Sequence, residues 1–120
     1  MAILNIEEVS VEGTWGHLRV DGEIDLDTVG TLRTKLEELK KRGVARLVLD
    51  FSSTKYVNSS ALAVLVKFAE GFREQGGGIA LVDVSPRVKL VFEMLGLLVF
   101  FKFFDSVEAA RAAFPAETQG

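Results

Sequence analysis

A chain of 120 residues with 48% hydrophobic and 26% charged residues has the size and balance of one globular domain able to bury a single core. Its formal charge of −3, from 14 Lys and Arg against 17 Asp and Glu, gives no general reason to bind nucleic acid and points to proteins as partners. With no cysteine and one histidine, disulfides, thiolate chemistry and thiolate metal sites are excluded.

The opening MAILNIEEV lacks the basic region and apolar run of a signal peptide. The most apolar late segment, Leu95 to Phe104, is broken by Gly96 and Lys102 and is too short to cross a bilayer. A soluble cytoplasmic protein without a membrane span is expected. Ile3 to Val11 and Thr14 to Val20 read as two strands joined by a turn at Glu12-Gly13, with Asp21-Gly22 breaking the second. GEIDLDTVGTLRTKLEELKKRG reads as a loop and an amphipathic helix. Asp27 or Thr28 caps its start, and Val29, Leu32, Leu36 and Leu39 recur at helical spacing. Lys40, Lys41 and Arg42 suit the negative end of the helix dipole, and Gly43 stops it.

RLVLDFS is a short apolar strand of the kind covered on both faces, and SSTKYVN a loop. A helix follows from about Ser59 to Gln75. It ends in Gly76-Gly77-Gly78, read as a linker because neither GxGxxG nor GxxxxGK[ST] is present. GIALVDV is the next buried strand. Ser85-Pro86 then starts a helix whose apolar face is Val88, Val91, Phe92 and Leu95. LVFFKFF reads as a last edge strand and Ser106 to Ala113 as a short helix capped by Asp105 or Ser106, with PAETQG as a frayed tail. The alternation of strands and crossover helices predicts an α/β fold: one domain over residues 1–114, a mixed sheet of four to five strands with parallel central members, about four helices, and a tail at 115–120.

Four of the nine phenylalanines lie between Phe100 and Phe104. Strand alternation sends Phe101 and Phe103 to one face and Phe100, Lys102 and Phe104 to the other, so at least one set is buried. The remainder either closes the core or forms a docking or self-association patch.

Support for catalysis is thin. His17 sits in a strand beside no Asp, Glu or second ligand, and reads as a satisfied surface histidine. The Asp25-x-Asp27 pair lacks the rest of a calcium loop and reads as a turn and a cap. Ser59 and Ser60 open a helix behind Asn58, where unpaired N–H groups and a partial positive charge favour an anion. A hydrolase elbow would need GxSxG and a triad base, and the chain has neither. Accepting a phosphoryl group needs only exposure and a kinase that supplies the base and the nucleotide. The phosphate would add about −1.5 to −2 charges at the helix start. On the residues alone, a plain helix cap and a regulatory site both remain open.

Three stretches, GEIDLDTVGTLRTKL, LVLDFSSTKYVNSSALAVLV and ALVDVSPRVKLVFEMLG, in this order and spacing, resemble the STAS-domain proteins of the anti-sigma factor antagonist family. The resemblance covers roughly Ile3 to Phe114. It implies a small mixed sheet with helices mostly on one side, and a role in bacterial partner switching. In that scheme the unphosphorylated antagonist binds a kinase-type anti-sigma factor and frees the sigma factor. The kinase then phosphorylates a serine of the antagonist, which breaks the complex, and a serine phosphatase resets it. No cofactor is implied.

Carried onto this chain, the acceptor of the family's D-S-S-G pattern falls on Ser59, with Ser60 supporting the helix start. Asp25 matches the acidic position of the G-E-L-D loop. The implied partner face comprises Asp25, Asp27, Asn58, Ser59, Ser60 and Ala61, while Asp50 organises the loop after its strand. Asn58 stands where Asp is usual and removes a negative charge beside the acceptor. Ala61 stands where Gly is usual, and its methyl is expected to block a close backbone approach. A STAS subunit of another assembly, such as a stress-sensing scaffold or a transporter accessory subunit, is the competing expectation.

Overall fold

The computed structural model describes residues 2–113; the expected tail at 115–120 lies outside them. Six strands and four helices follow in the order β1 (Leu4–Glu12), β2 (Trp15–Ile24), α1 (Val29–Lys41), β3 (Arg46–Asp50), β4 (Thr54–Val57), α2 (Ser59–Glu74), β5 (Gly78–Val82), α3 (Pro86–Met94), β6 (Lys102–Phe104) and α4 (Val107–Ala113). The sheet runs β1-β2-β3-β5-β6. β1 pairs antiparallel with β2 and every other pairing is parallel.

Alternation along the strands sets the two faces. Leu18, Val20, Leu47, Leu49, Ile79 and Leu81 point to the side covered by α1, α2 and α3 and form the main core with the buried stripes of those helices. Trp15, Val48, Ala80 and Val82 point to the other side, where Val107 and Ala110 of α4 pack on them with Phe104, and the Arg111 guanidinium lies over the Trp15 ring at 4.6 Å. Three helices on one face and one short helix on the other is the one-sided arrangement the resemblance implies.

Two differences from the expected elements matter for the site. β2 does not stop at Asp21-Gly22 but continues to Ile24. Gly22 adopts φ +125, and a side chain there would collide with the Ile3 carbonyl, so the glycine admits a close approach of β1 instead of ending the strand. Beyond it, β2 loses β3 and gains a new parallel partner. That partner is β4, part of the segment read as a loop, and it adds a sixth strand. Only Thr54 and Val57 of β4 are buried, and the Thr54 hydroxyl donates to the Val20 carbonyl at 2.7 Å.

The glycine run is not a linker either. Gly76, at φ +91, ends α2, Gly77 packs so close to the Ala45 carbonyl that a Cβ would clash, and Gly78 already belongs to β5. The imperfect alternation of β1 has a cause in a bulge that leaves Val9 without a partner.

LVFFKFF is a strand only over its last three residues; Leu98–Phe100 form a single 3-10 turn. Phe101 is buried in the main core with Phe103 packed at its edge, and Phe104 joins the α4 side. Phe92 receives Phe101 and Phe103 edge-on, at centroid distances of 5.3 and 5.6 Å. The phenylalanines therefore close the core, and Val99, 78% exposed, is the apolar side chain this segment leaves outside.

His17 is not a satisfied surface residue. It shares the α4 face with Trp15, and its Nε2 is buried with no hydrogen-bond partner among the described residues. Burial holds its pKa below the ordinary 6.5, against the pull of Asp50.

Candidate functional site

The site is assembled where two parallel strands end side by side. Ile24 of β2 pairs with Val57 of β4, and the Asn58 N–H donates to the Ile24 carbonyl at 2.7 Å. Asp25 and Asn58 therefore leave adjacent strand ends together, one toward α1 and the other into α2. Carboxyl ends of parallel strands, where helices begin, are the usual position for a functional face in α/β folds.

On the α2 side Asn58 is the cap. Its amide oxygen accepts the Ser60 N–H at 2.7 Å, and its own backbone is extended, with the helix starting at Ser59. Ser59 and Ser60 are both exposed, and neither hydroxyl hydrogen-bonds a described residue. With the capping done by Asn58, both hydroxyls are spare at the positive end of a 16-residue helix. Ala61 departs from expectation. It is fully buried against the core, so its methyl offers nothing to a partner in this conformation.

On the α1 side Thr28 is the cap residue, as one of the two expected positions, but its side chain makes no cap bond; the carboxylate that holds the turn leading into the helix is that of Asp25. One Asp25 carboxylate oxygen accepts the N–H groups of Asp27 at 2.8 Å and Thr28 at 3.0 Å. The buried Thr28 hydroxyl donates to the Glu23 carbonyl at 2.7 Å and accepts the Asp25 N–H at 3.0 Å. These bonds fix the loop, which leaves Asp27 and Leu26 exposed on its outer side. Asp50 does organise the next loop: it accepts the Ser52 N–H at 2.9 Å and lies 3.6 Å from Arg19.

Two residues of this face escaped the sequence reading. Leu26 is 67% exposed and Tyr56 47% exposed, within two residues of the paired Ile24 and Val57. Large side chains held open by a rigid frame are what interface anchors look like. Leu26 could have been noticed as an apolar residue in a polar loop, before the helical periodicity of α1 begins. Tyr56 gave no such signal, because its strand was not recognised.

Among the described residues no group of three or more His, Asp or Glu is placed to hold a metal ion, and no helix is long and apolar enough to cross a membrane. What the ends of β2 and β4 present is an exposed, largely polar surface with two spare hydroxyls at a helix N-terminus.

Comparison with known proteins assigns the family. Residues 6–110 match the family described as the STAS domain, and the chain belongs to it. A Bordetella bronchiseptica protein named as an anti-sigma factor antagonist, BtrV, is 33% identical over 95 residues, covering 79% of this chain and 82% of the relative. The anti-sigma-B factor antagonist of Bacillus subtilis is 32% identical over 80 residues, 67% of this chain and 72% of that one. Among solved structures, the anti-sigma factor antagonist SpoIIAA in its unphosphorylated form superposes with a TM-score of 0.74 at 22% identity, covering 92% of this chain and 96% of that one. Its phosphorylated form superposes with a TM-score of 0.67. The two structures speak for the fold.

Proposed function

We propose that this chain is an anti-sigma factor antagonist that works by partner switching in the cytoplasm, with Ser59 as its switch. In the unphosphorylated state the face around Leu26, Asp27, Tyr56, Asn58, Ser59 and Ser60 docks on a kinase-type anti-sigma factor, and the sigma factor is released. The kinase transfers the γ-phosphoryl group of ATP: the Ser59 Oγ–P bond forms, the bond to ADP breaks, and the hydroxyl proton passes to a base on the kinase. A serine phosphatase hydrolyses the ester and restores the docking form. Asp25 holds the α1 side of the face in shape through its two N–H bonds.

The observation that carries this reading is the spare Ser59 hydroxyl, exposed at the first position of a helix already capped by Asn58. Phosphate at that point is tolerated by the free chain, because the helix N-terminus favours it. The complex does not tolerate it equally. A phosphate shut into an interface is desolvated, and without a matched cation that costs several kcal/mol. Each 1.4 kcal/mol changes the affinity about tenfold.

The test is binding of Ser59 variants to purified kinase-type anti-sigma factors of the source bacterium. Ser59→Ala keeps wild-type affinity but the complex no longer dissociates when ATP is added. Ser59→Asp, with one charge and a smaller head, binds more weakly. Wild-type affinity in Ser59→Asp would remove the electrostatic basis of the switch.

A further inference from the structure

The basic residues of α1 fall into two sets. Lys35, with the capping residue Arg42, closes on the acidic side: Lys35 Nζ lies 2.8 Å from Glu8 and 3.2 Å from Glu38, and Arg42 lies 2.9 Å from Glu8. Arg33, Lys40 and Lys41 make no ion pair or hydrogen bond with a described residue, and neither does Lys67 of α2. These four cations line one groove of about 800 Å³ between α1 and α2, accompanied by a single carboxylate, Glu37. In a chain whose formal charge is −3, this is a local reversal of sign.

The floor is apolar. Ala63, Val64 and Phe68 of α2 lie between the basic banks. The half-buried Phe68 ring is 6.4 Å from the ring of Phe72, which is fully buried, so the floor is anchored in the core. Lys40 reaches across to α2 at Gly71, where a Cβ would stand only 2.7 Å from its Nζ. Scattered surface lysines are normally solvated and need no partner. Here the cations converge from two helices on one apolar strip.

We propose that this groove docks an acidic amphipathic segment of a protein partner, seating its apolar residues on Ala63, Val64 and Phe68 and its carboxylates against Arg33, Lys40, Lys41 and Lys67. The chemistry selects this occupant. A small anion would engage one or two of the cations and leave the apolar floor unused. An acidic helix carries apolar and anionic groups side by side at the spacing of a helical turn, and lies naturally in a groove between two helices. Ala63 is one turn beyond Ser59 on α2, so the groove continues the proposed docking face, but its charge is independent of any phosphorylation.

The test uses the full chain and two fluorescein-labelled helical peptides of about 18 residues, with the same leucine stripe and either Glu or Lys elsewhere. The Glu peptide is expected to saturate, to shift the amide resonances of Ala63, Val64 and Phe68, and to weaken as salt rises from about 50 to about 200 mM. The Lys peptide, and the Glu peptide on Arg33→Glu/Lys67→Glu, are expected to bind at least about tenfold more weakly, a difference of about 1.4 kcal/mol. Both substituted residues are exposed, and an unchanged circular dichroism spectrum verifies the fold. Ser59→Ala, which removes the acceptor without adding charge, is expected to leave the peptide affinity within about twofold, so this result and the switch at Ser59 succeed or fail separately. Equal binding of the two peptides, no binding of the Glu peptide, or unchanged affinity in the double variant would overturn the proposal. Decanoate or ATP shifting the same resonances where the peptide does not would assign the groove to a small anion instead.

Discussion

Replacing Asn58 by alanine removes one hydrogen bond from the start of α2 and leaves the core untouched. The lost bond is the 2.7 Å contact from the Ser60 N–H to the Asn58 amide oxygen. Neither serine hydroxyl caps in its place, so the freed N–H turns to water. Removing a side-chain cap of this kind costs about 1 kcal/mol. For 120 residues the unfolding entropy is about 0.25 kcal/mol/K, which converts the loss to a fall in Tm of about 4 °C. Asn58→Asp keeps the acceptor and adds a negative charge at the helix N-terminus, worth about 0.3–1 kcal/mol, so its Tm should equal or exceed that of the parent. Thermal unfolding followed by far-UV circular dichroism at neutral pH reads both. An alanine variant within 1 °C of the parent, or an aspartate variant that falls as far as alanine, would refute the assignment of Asn58 as the cap. The assignment matters for function because it is what leaves the Ser59 hydroxyl free.

Three further outcomes test the frame behind the site. Phe92 is fully buried between two edge-on rings, and Phe92→Ala should cost about 3–5 kcal/mol, read as a lower urea midpoint at unchanged slope; a loss below about 1 kcal/mol would contradict the packing. Hydrogen bonds from Arg42 and Lys35 hold the Glu8 carboxyl at about 2, below its ordinary 4.5. Its contribution is therefore fully present above pH 4.5 and lost as the pH falls through 2, with a small amplitude because the network is solvated; Glu8→Gln should flatten that part of the acid limb, and added salt should do the same in the parent. His17 has a depressed pKa from burial, reinforced by Arg19 and Arg111 and opposed by Asp50 and Glu7, so its unfolded form binds the proton first. Stability should drop as the pH falls below 6.5, and His17→Leu should remove that slope between pH 7 and 5.5; an unchanged slope would clear His17 of the effect.

The parts of the fold that were legible in the sequence are those where a period or a cap is written locally. Val29, Leu32, Leu36 and Leu39 marked α1, and the Ser85 hydroxyl does accept the Val88 N–H, at 3.2 Å, to start α3. β4 was hidden because four residues with two buried show no alternation, and because its partner exists only once β2 runs past Gly22. The same concealment hid Tyr56. In the site, the order Asn58-Ser59-Ser60 was readable, but which of the three caps is decided by backbone geometry: Asn58 is extended and Ser59 already helical. Asp25 stood out by its position in GEIDLD, while its service in holding the turn that leads into α1 appears only once its carboxylate is seen meeting two N–H groups. The α1–α2 groove was illegible for a related reason. Lys40, Lys41 and Arg42 read as one basic run at a helix end, and only the fold shows Arg42 turned to Glu8 and the two lysines lining the same groove as Lys67.

The most direct test of the switch is the intact mass of the full chain, followed by peptide mapping, after incubation with ATP and the kinase-type anti-sigma factors of the source bacterium. A single added phosphate on Ser59, absent in Ser59→Ala and accompanied by dissociation of the complex, is the expected result. Tight binding that is indifferent to ATP and leaves Ser59 unmodified would contradict the switch, and would favour a STAS subunit that acts by docking alone.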